Sequence, residues 1–342
     1  MGYESSGLLG IPTPDLLAPA LGFVTSFGQP AIQKIFLPTD VTKQYDNFLK
    51  DSAKDALAFN DTLRAAGAPV TIRQSSRDKD NYEVVNDELA EKVPVEDVAK
   101  YPNALQEAAN KVTLAVVRSL ERRGAVQLAA ATVTAGTNFY DVGGSSTPWT
   151  TVASCTPSKD VNVAAGYIRA NIGVTKSNLS LAIPRKHLEA FSQITDFRST
   201  LSVTTDITGQ QKLERLAAYF GVREVIVLEM QYDSANTGQS LTAADCWDSN
   251  NAYLFWNTQN NPDGTVPKLA GMGRMFVWPG PADHDESVYQ EMMQMAAGYQ
   301  IPPVFLRQWY DQSTKSYMVG AGTYTQTKII KSQCLARLGG LG

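Results

Sequence analysis

Very few residues in this sequence have the types and spacing that acid–base or metal chemistry requires. Its 342 residues include two histidines, His187 and His284. His284 lies among carboxylates in the segment PADHDES, which is typical of a solvated loop. His187 follows Pro-Arg-Lys at the start of a predicted helix, where exposure is favoured. Neither belongs to a G-x-S-x-G turn, the arrangement that exposes a nucleophilic serine. The sequence therefore predicts no catalytic residue and no metal ligand.

Glycine and carboxylate patterns do not indicate a cofactor site either. The pairs Gly143-Gly144 and Gly339-Gly340 lack the Lys-Ser/Thr that follows the glycines of a phosphate-binding loop. The segment GMGRMF is one glycine short of a dinucleotide fingerprint and indicates a turn. Neighbouring carboxylates such as Glu96 and Asp97 fall in a charged segment, which is typical of a solvated face. We predict no cofactor.

Composition narrows the class of protein. A formal net charge of −4 argues against a dedicated nucleic-acid reader, which presents a basic face, but leaves loose contact with packed DNA open. No run of 18 apolar residues is present, so we expect no membrane span. Cys155, Cys246 and Cys334 are odd in number and far apart, which favours reduced thiols. Charged residues make up 19% of the chain, less than the usual quarter or so. Either a surface rich in Thr, Ser and Asn or surface hidden in an assembly explains this.

The first 45 residues are predicted to form an extended arm. Five prolines interrupt this segment, and a proline inside a helix removes a backbone hydrogen bond. Its many apolar side chains must nevertheless lie on another surface, either that of its own domain or that of a partner. These side chains are Leu8, Leu9, Leu16, Leu17, Phe23, Phe27, Ile35 and Phe36.

Residues 70–85 are predicted to form a β-hairpin. Residues 70–74 alternate apolar and polar side chains, the period of a half-buried strand, and residues 82–85 supply the second strand. Between them, residues 75–81 combine turn formers with charges of both signs and are the predicted tip. A two-stranded hairpin has too little apolar surface to be stable alone. We therefore expect it to pack against something outside itself.

Residues 101–123 have the strongest helical pattern, with apolar side chains at spacings of three and four. A helix of this length spans about 35 Å, which suits a structural spine. Gly124, after two arginines, is typical of a helix C-terminus. Further helices are predicted at 161–171, within 177–191, from 208 to 220 and at 288–299. Further strands are predicted at 222–228, 252–257, 273–278 and after 304. This irregular alternation predicts an α+β fold.

A series of sequence blocks from about Arg64 onward carries a family resemblance. It begins with RAAGAPVTIRQSSRDKDNYEVVNDELAEKVPVED and continues through the long helix ending in LERRGAVQLAA, the Trp149 segment and NLSLAIPRKHLEAFSQITDFR. The most specific block is LERLAAYFGVREVIVLEMQYDSANTG, followed by CWDSNNAYLFWN and PKLAGMGRMFVW. In order and spacing these blocks resemble the major capsid proteins of tailed bacteriophages, which have the Hong-Kong-97-type capsid fold.

The resemblance implies a four-part architecture. The parts are an N-terminal arm (1–60), an extended hairpin called the E-loop (61–100), a peripheral domain with a long spine helix (101–160 and 285–342) and an axial domain (161–284). It also implies a structural protein rather than an enzyme. Its copies would assemble as hexamers and pentamers into an icosahedral shell that encloses double-stranded DNA.

In such a shell the partner of the hairpin is the next subunit. We therefore expect intersubunit contacts from the charged and aromatic residues of the hairpin, which are Arg73, Arg77, Asp78, Lys79 and Tyr82. Some relatives cross-link through Lys and Asn, but Lys79 and Asn81 do not align with that motif, so no cross-link is predicted.

The expected partners are further copies of the chain, a portal, decoration proteins and a separate scaffolding protein, because no heptad-bearing scaffolding segment precedes the hairpin. The expected location is the virion, after assembly in the host cytoplasm. Two alternatives stay open. One is an encapsulin, a cellular compartment protein of the same fold with an internal pocket for a cargo peptide, and the other is an α+β enzyme.

Overall fold

The structure is a computed structural model, and it describes residues 11–51, 77–132, 137–201, 210–235, 239–257, 271–280 and 286–342. These residues form two β-sheets, of six and five strands, with two separate strand pairs. The helices are α1 (Pro14–Thr25), α2 (Ile32–Ile35), α3 (Val95–Lys100), α4 (Ala104–Ala131), α5 (Val142–Ser145), α6 (Pro157–Ile172), α7 (Arg185–Ala190), α8 (Thr195–Leu201), α9 (Gln210–Phe220) and α10 (Glu286–Gly298). The strands are β1 (Ile11–Pro12), β2 (Leu37–Asp40), β3 (Tyr45–Asp51), β4 (Arg77–Glu83), β5 (Val85–Pro94), β6 (Phe139–Asp141), β7 (Ser180–Pro184), β8 (Glu224–Leu228), β9 (Gln231–Asp233), β10 (Ala243–Asp245), β11 (Ala252–Phe255), β12 (Gly273–Val277), β13 (Phe305–Asp311), β14 (Ser316–Ile329) and β15 (Leu335–Gly339).

Strand β14 is the centre of the first sheet. Along one edge it pairs antiparallel with β13 and then with β12, and along the other edge it pairs with the whole of β5. Beyond these strands, β1 pairs with β13, and β2 pairs in parallel with β12. Because β14 contains three Thr and two Tyr, which favour extended backbone, it can stay regular over 14 residues.

The second sheet has the strand order β6-β15-β11-β7-β8. Every residue of β7 and β11 is buried, as expected for central strands that are covered on both faces. Helix α6 packs on β15 and β11, and α9 packs on β8. The second sheet therefore has its own helical cover.

The two sheets cross the domain boundaries expected from the sequence. Strand β12 lies in the segment assigned to the axial domain, but it pairs with β14 and β2 in the first sheet. Strands β6 and β15 lie in segments assigned to the peripheral domain, but they pair with the second sheet. The division into peripheral and axial domains stays a prediction, and the strand pairing shows that the chain passes repeatedly between the two sheets.

The long helix α4 extends beyond the predicted range. Gly124, which was expected to mark its C-terminus, lies inside it. Gly124 is buried, and a Cβ placed on it would lie 2.8 Å from Cδ1 of Ile32. The missing side chain lets α2 approach the backbone of α4, so this glycine serves packing and does not end the helix. The helix ends at Thr132, whose hydroxyl donates to the Leu128 carbonyl at 2.7 Å.

Helix α4 is covered from two directions. Strands β14 and β5 pack against it, and so does α1. Val117 and Leu128 have no exposed surface, and Val112 and Leu120 are nearly as buried. Burial of an aliphatic side chain of this size contributes about 1.5–3 kcal/mol. The free energy of folding therefore depends strongly on keeping both covers in place.

The expectation of an extended N-terminal arm is wrong for residues 14–25, which form helix α1. Pro14 lies in the first turn, where the N–H that it lacks has no helical partner. Pro19 lies inside the helix and removes one backbone hydrogen bond. Leu17, Leu21 and Val24 are completely buried, and α1 packs on α4 and α10. Burial of this apolar face outweighs the lost hydrogen bond.

The expectation of reduced thiols is confirmed. Cys155, Cys246 and Cys334 are free and buried. Burial raises the pKa of the Cys246 and Cys334 thiols to about 12, so both remain protonated at neutral pH. They act as small apolar side chains of the core.

Two helical glycines give a matched test of the packing on α4. Gly124→Val should lower the free energy of unfolding by about 1–3 kcal/mol, because the added methyl groups overlap Ile32. Gly166→Ala in α6 should raise it by up to about 1 kcal/mol, because nothing lies within 4 Å of the new Cβ and alanine favours helix. Urea unfolding measures both. A neutral Gly124→Val variant would contradict the close approach of α2.

Candidate assembly surface

Strands β3 and β4 form an antiparallel hairpin arm outside the two main sheets, hereafter the hairpin. The register runs from Tyr45 opposite Glu83 to Asp51 opposite Arg77, and residues 52–76, which connect the strands, lie outside the described residues. Successive side chains on a strand point to opposite faces. The face that carries the anchoring contacts holds Asp46, Phe48, Lys50, Asp78, Asp80 and Tyr82.

This pairing corrects the predicted hairpin. Residues 77–81, expected at the tip, belong to strand β4, and the partner of β4 is β3, which was assigned to the N-terminal arm. The predicted first strand, 70–74, lies outside the described residues. The polar composition of 77–81 favours a turn locally, but seven cross-strand residue pairs with a distant segment decide the conformation. Local patterns do not contain that distant partner.

A small aromatic cluster fixes the hairpin to the first sheet. Phe276 of β12 stacks on Tyr82 with ring centroids 4.6 Å apart and packs against Phe48 at 5.3 Å. Val84 and Ile330 complete this cluster, which is separate from the main core. Phe48 and Tyr82 come from the two strands of the hairpin, so the cluster holds both strands at once.

Lys328 of β14 adds a polar anchor next to the cluster. Its ammonium group donates to Asp80 Oδ1 at 2.7 Å and to the Asn81 carbonyl, and it lies 5.6 Å from the centre of the Phe48 ring. Lys50 forms a second ion pair with Asp80 from the neighbouring strand. Asp80 thus links β3, β4 and β14.

The electrostatics of Asp80 favour its ionised form. Partial burial alone would raise the pKa of this carboxyl. The hydrogen bonds from Lys328 and Lys50 outweigh that effect and lower the pKa to about 2. The anchor is therefore fully charged at neutral pH. A buried aromatic contact and a charged contact act side by side at the base of the hairpin.

The expected intersubunit residues fall into different environments. Asp78 and Lys79 are exposed on β4, where a neighbouring molecule can reach them. The backbone of Arg77 pairs with Asp51 at the end of the described hairpin. Arg73 lies outside the described residues. An intersubunit role for these four residues stays a prediction.

Tyr82 does not fit its expected role as an intersubunit contact. Only 6% of its surface is exposed, because its ring stacks on Phe276 inside its own subunit. The physical reason is the period of the strand, which directs Tyr82 to the same face as Asp80 and towards the first sheet. Tyr82 positions the hairpin instead.

Sequence reasoning missed Phe48, Lys50 and Lys328 as parts of this surface. The available signal was the alternation in the segment YDNFLKD, where the side chains at 46, 48 and 50 share a face. Lys328 gave no local signal, since its partner Asp80 lies far away in the sequence. Exposed apolar side chains also surround the base of the hairpin, with Tyr45 on β3 and Val85 and Leu89 on the edge strand β5.

His187 is buried, contrary to the expected surface position. Its Nε2 lies 2.8 Å from the Ser249 carbonyl, and its ring packs edge-on against Trp149. Burial lowers the pKa of the imidazole, so the ring stays neutral and serves packing. His284 lies outside the described residues.

The described residues offer little else for chemistry or membrane insertion. Within them, no three His, Cys, Asp or Glu side chains are grouped so that they could hold a metal ion. None of the described helices combines the length and apolar character needed to cross a membrane.

Comparison with known proteins identifies the fold. No family model and no curated protein sequence matches this chain. Among solved structures, a phage-related protein from Bordetella bronchiseptica RB50 is 21% identical, with a TM-score of 0.64 over 97% of this chain and 98% of its own. A protein assigned as a prophage capsid protein of Escherichia coli CFT073 is 11% identical, with a TM-score of 0.52 over 97% and 99%. An encapsulin from Synechococcus elongatus PCC 7942 is 10% identical, with a TM-score of 0.51 over 92% and 89%.

These similarities cover nearly the whole chain in each case. The predicted α+β capsid fold is therefore confirmed. The long helix and the two sheets lie within the matched part of the chain, which is 92–97% of it.

The anchor at Asp80 predicts a pH-dependent hairpin. The folded pKa, about 2, lies below the usual 3.8, so the ion pairs contribute fully above about pH 4 and are lost as the pH falls towards 2. Asp80→Asn should weaken closure of the hairpin at neutral pH by on the order of 1–2 kcal/mol. Hydrogen exchange of the β4 amides measures this closure.

Asp78→Asn is the matched control on the same strand. Its exposed carboxylate forms no ion pair with the described residues, so exchange should stay as in the parent chain. Equal effects of the two substitutions would rule out a specific anchor at Asp80.

Proposed function

We propose that this chain is the major capsid protein of a tailed bacteriophage. In this role, copies of the chain form the shell and no reaction is catalysed. The observation that carries the proposal is the shared fold over 97% of this chain and 98% of a phage-related protein.

The hairpin supports this role because it is firmly attached at its base and exposed elsewhere. Tyr82, Phe48 and Phe276 hold it to its own subunit. Asp78 and Lys79 are exposed, and we assign them, with Arg77 and Arg73, to contacts with the next subunit. Exposed apolar side chains at the hairpin base and on the edge strand β5 add surface that assembly would cover.

The proposed assembly consists of hexamers and pentamers in an icosahedral shell. Within each subunit, we assign residues 101–160 and 285–342 to the peripheral domain and residues 161–284 to the axial domain. With a net charge of −4, the chain would contact packaged double-stranded DNA only non-specifically. A separate scaffolding protein, a portal and decoration proteins are the further proposed partners, with assembly in the host cytoplasm and the virion as the final location.

An encapsulin-like compartment is the second candidate, because an encapsulin shares this fold over 92% of the chain. The two functions differ in what the shell contains. A phage capsid protein receives DNA, and an encapsulin receives a protein cargo.

Electron microscopy of the purified chain tests shell formation directly. We expect closed particles tens of nanometres across, in the presence of a scaffolding protein if the chain requires one. A monodisperse monomer of 37.2 kDa under all conditions would exclude the shell function. Nuclease-protected DNA in native particles would support the phage function, and a packaged protein would support the encapsulin.

Shortening the hairpin tests its part in assembly. Residues 52–76 are replaced by Asn-Gly, because Asp51 and Arg77 are paired in register and a two-residue turn can join paired strands. The variant should unfold in urea at the same concentration as the parent chain, since the anchoring cluster is untouched, and should fail to form closed shells. A Gly/Ser replacement of equal length controls for loss of chain length. Normal shells from both variants would contradict the proposed role of the hairpin.

A further inference from the structure

Glu121 is a completely buried carboxylate in the middle of the long helix α4. Its Oε1 accepts a hydrogen bond from the Ile32 N–H at 2.8 Å, and the Ala31 N–H also donates to it. Its other oxygen accepts from the indole N–H of Trp247. Ala31, Ile32 and Trp247 are themselves buried, so water does not reach these bonds.

The three donors belong to two segments that are far apart in the sequence, and both reach α4 at Glu121. Ala31 and Ile32 form the start of α2, on the N-terminal segment that leads into the first sheet through β2. Trp247 lies between β10 and β11, and β11 belongs to the second sheet. One side chain therefore connects the long helix with a segment of each sheet.

The charged groups around Glu121 do not neutralise it. On α4, Arg118 and Arg122 lie over the rings of Phe27 and Tyr232, and neither forms an ion pair with Glu121 in the described residues. The Trp247 segment contributes Cys246 and Asp245. Burial keeps the Cys246 thiol protonated, with a pKa of about 12, so it does not titrate near neutrality. On the N-terminal segment, the nearest charged side chain along the chain is the exposed Lys34.

Two opposing effects set the proton affinity of this carboxyl. Burial without a counter-charge disfavours the ionised form, and the hydrogen bonds from Ile32, Trp247 and Ala31 favour it. Burial is the larger effect and raises the pKa of Glu121 to about 7, from an ordinary value of 4.5. Both protonation states are then populated near neutral pH.

We propose that Glu121 is a pH-dependent joint. When it is ionised, it holds the N-terminal segment and Trp247 on the long helix, and when it is protonated, it releases one of the two. A carboxylate offers only acceptors, and all of the observed partners are donors. The added proton turns one oxygen into a donor that faces another donor. The new O–H has no acceptor among these partners, and the bond from the facing N–H weakens. A buried donor without an acceptor is unfavourable enough for one of the two segments to move away. The joint lies inside one subunit, so it operates whether or not the chain assembles.

Hydrogen exchange at the Ala31 and Ile32 amides tests the joint. The rate is measured by mass spectrometry on either side of pH 7 and corrected for the intrinsic pH dependence of amide exchange. Above the pKa the protonated fraction falls about tenfold per pH unit, so the corrected rate should fall by the same factor and should level off below it. In Glu121→Gln, the corrected rate should not depend on pH.

Glu229→Gln is the matched control. Glu229 accepts from the Gln29 N–H of the same segment at 2.9 Å, but it is partly exposed and paired with Arg185. This variant should keep the pH dependence at Ala31 and Ile32. Loss of the dependence in Glu229→Gln, or its persistence in Glu121→Gln, would overturn the proposal.

Trp247→Phe provides a second test that does not require the Gln variant to fold. The substitution removes a donor that favours the ionised form, so the midpoint of the pH dependence should move to higher pH. Infrared difference spectra should show the same shift in the carbonyl band of the protonated carboxyl group. An unmoved midpoint, or no such band at any pH in the parent chain, would overturn the joint.

Discussion

The burial of the long helix α4 is the constraint on which the rest of this structure depends. Twenty-eight residues give a helix of about 42 Å. No single neighbouring element can cover more than one side of it. Two strands of comparable extent, β5 and β14, cover one side, and the N-terminal helix α1 covers another. The long pairing of β5 with β14 follows from this requirement, because a short strand would leave part of the apolar stripe in water. The N-terminal segment is part of the core for the same reason.

Elements that project from this core need attachments of another kind. The hairpin cannot bury enough apolar surface along its length to be stable alone. Its base therefore combines a small aromatic cluster around Phe276 with the ion pairs of Asp80. The cluster supplies most of the free energy, since aromatic burial is worth more than exposed ion pairs. The ion pairs define the orientation of the hairpin, because Lys328 extends from β14 to Asp80 and limits the angle between the hairpin and β14. An element attached in this way can present its outer face at a defined orientation.

Local patterns in the sequence predicted most of the regular elements and few of their long-range partners. The helices α6, α7 and α10 and the strands β8, β11 and β12 lie where local patterns placed them, because each buries a face defined by its own residues. The predictions failed where a distant segment decides the outcome. Residues 77–81 pair with β3 instead of turning, Gly124 accommodates Ile32, and His187 is covered by Trp149. Of the candidate surface, Asp78 and Lys79 are exposed and their intersubunit role stays a prediction, while the anchor at Lys328 had no local signature.

The contacts that hold residues 28–32 are of a different kind from the packing within each sheet. Each sheet is fixed by apolar packing, which tolerates small rotations poorly because interiors are close-packed. The segment around residues 28–32 is held instead by two carboxylates, Glu229 from the end of β8 and Glu121 from α4. Gly28 has a φ of 117° and lies so close to Glu229 that a Cβ would meet its Cγ at 2.9 Å. Hydrogen bonds to carboxylates can be exchanged one at a time without opening a cavity. This segment is therefore the place where the hydrogen bonding between α4, β8 and the N-terminal chain can change without loss of apolar packing.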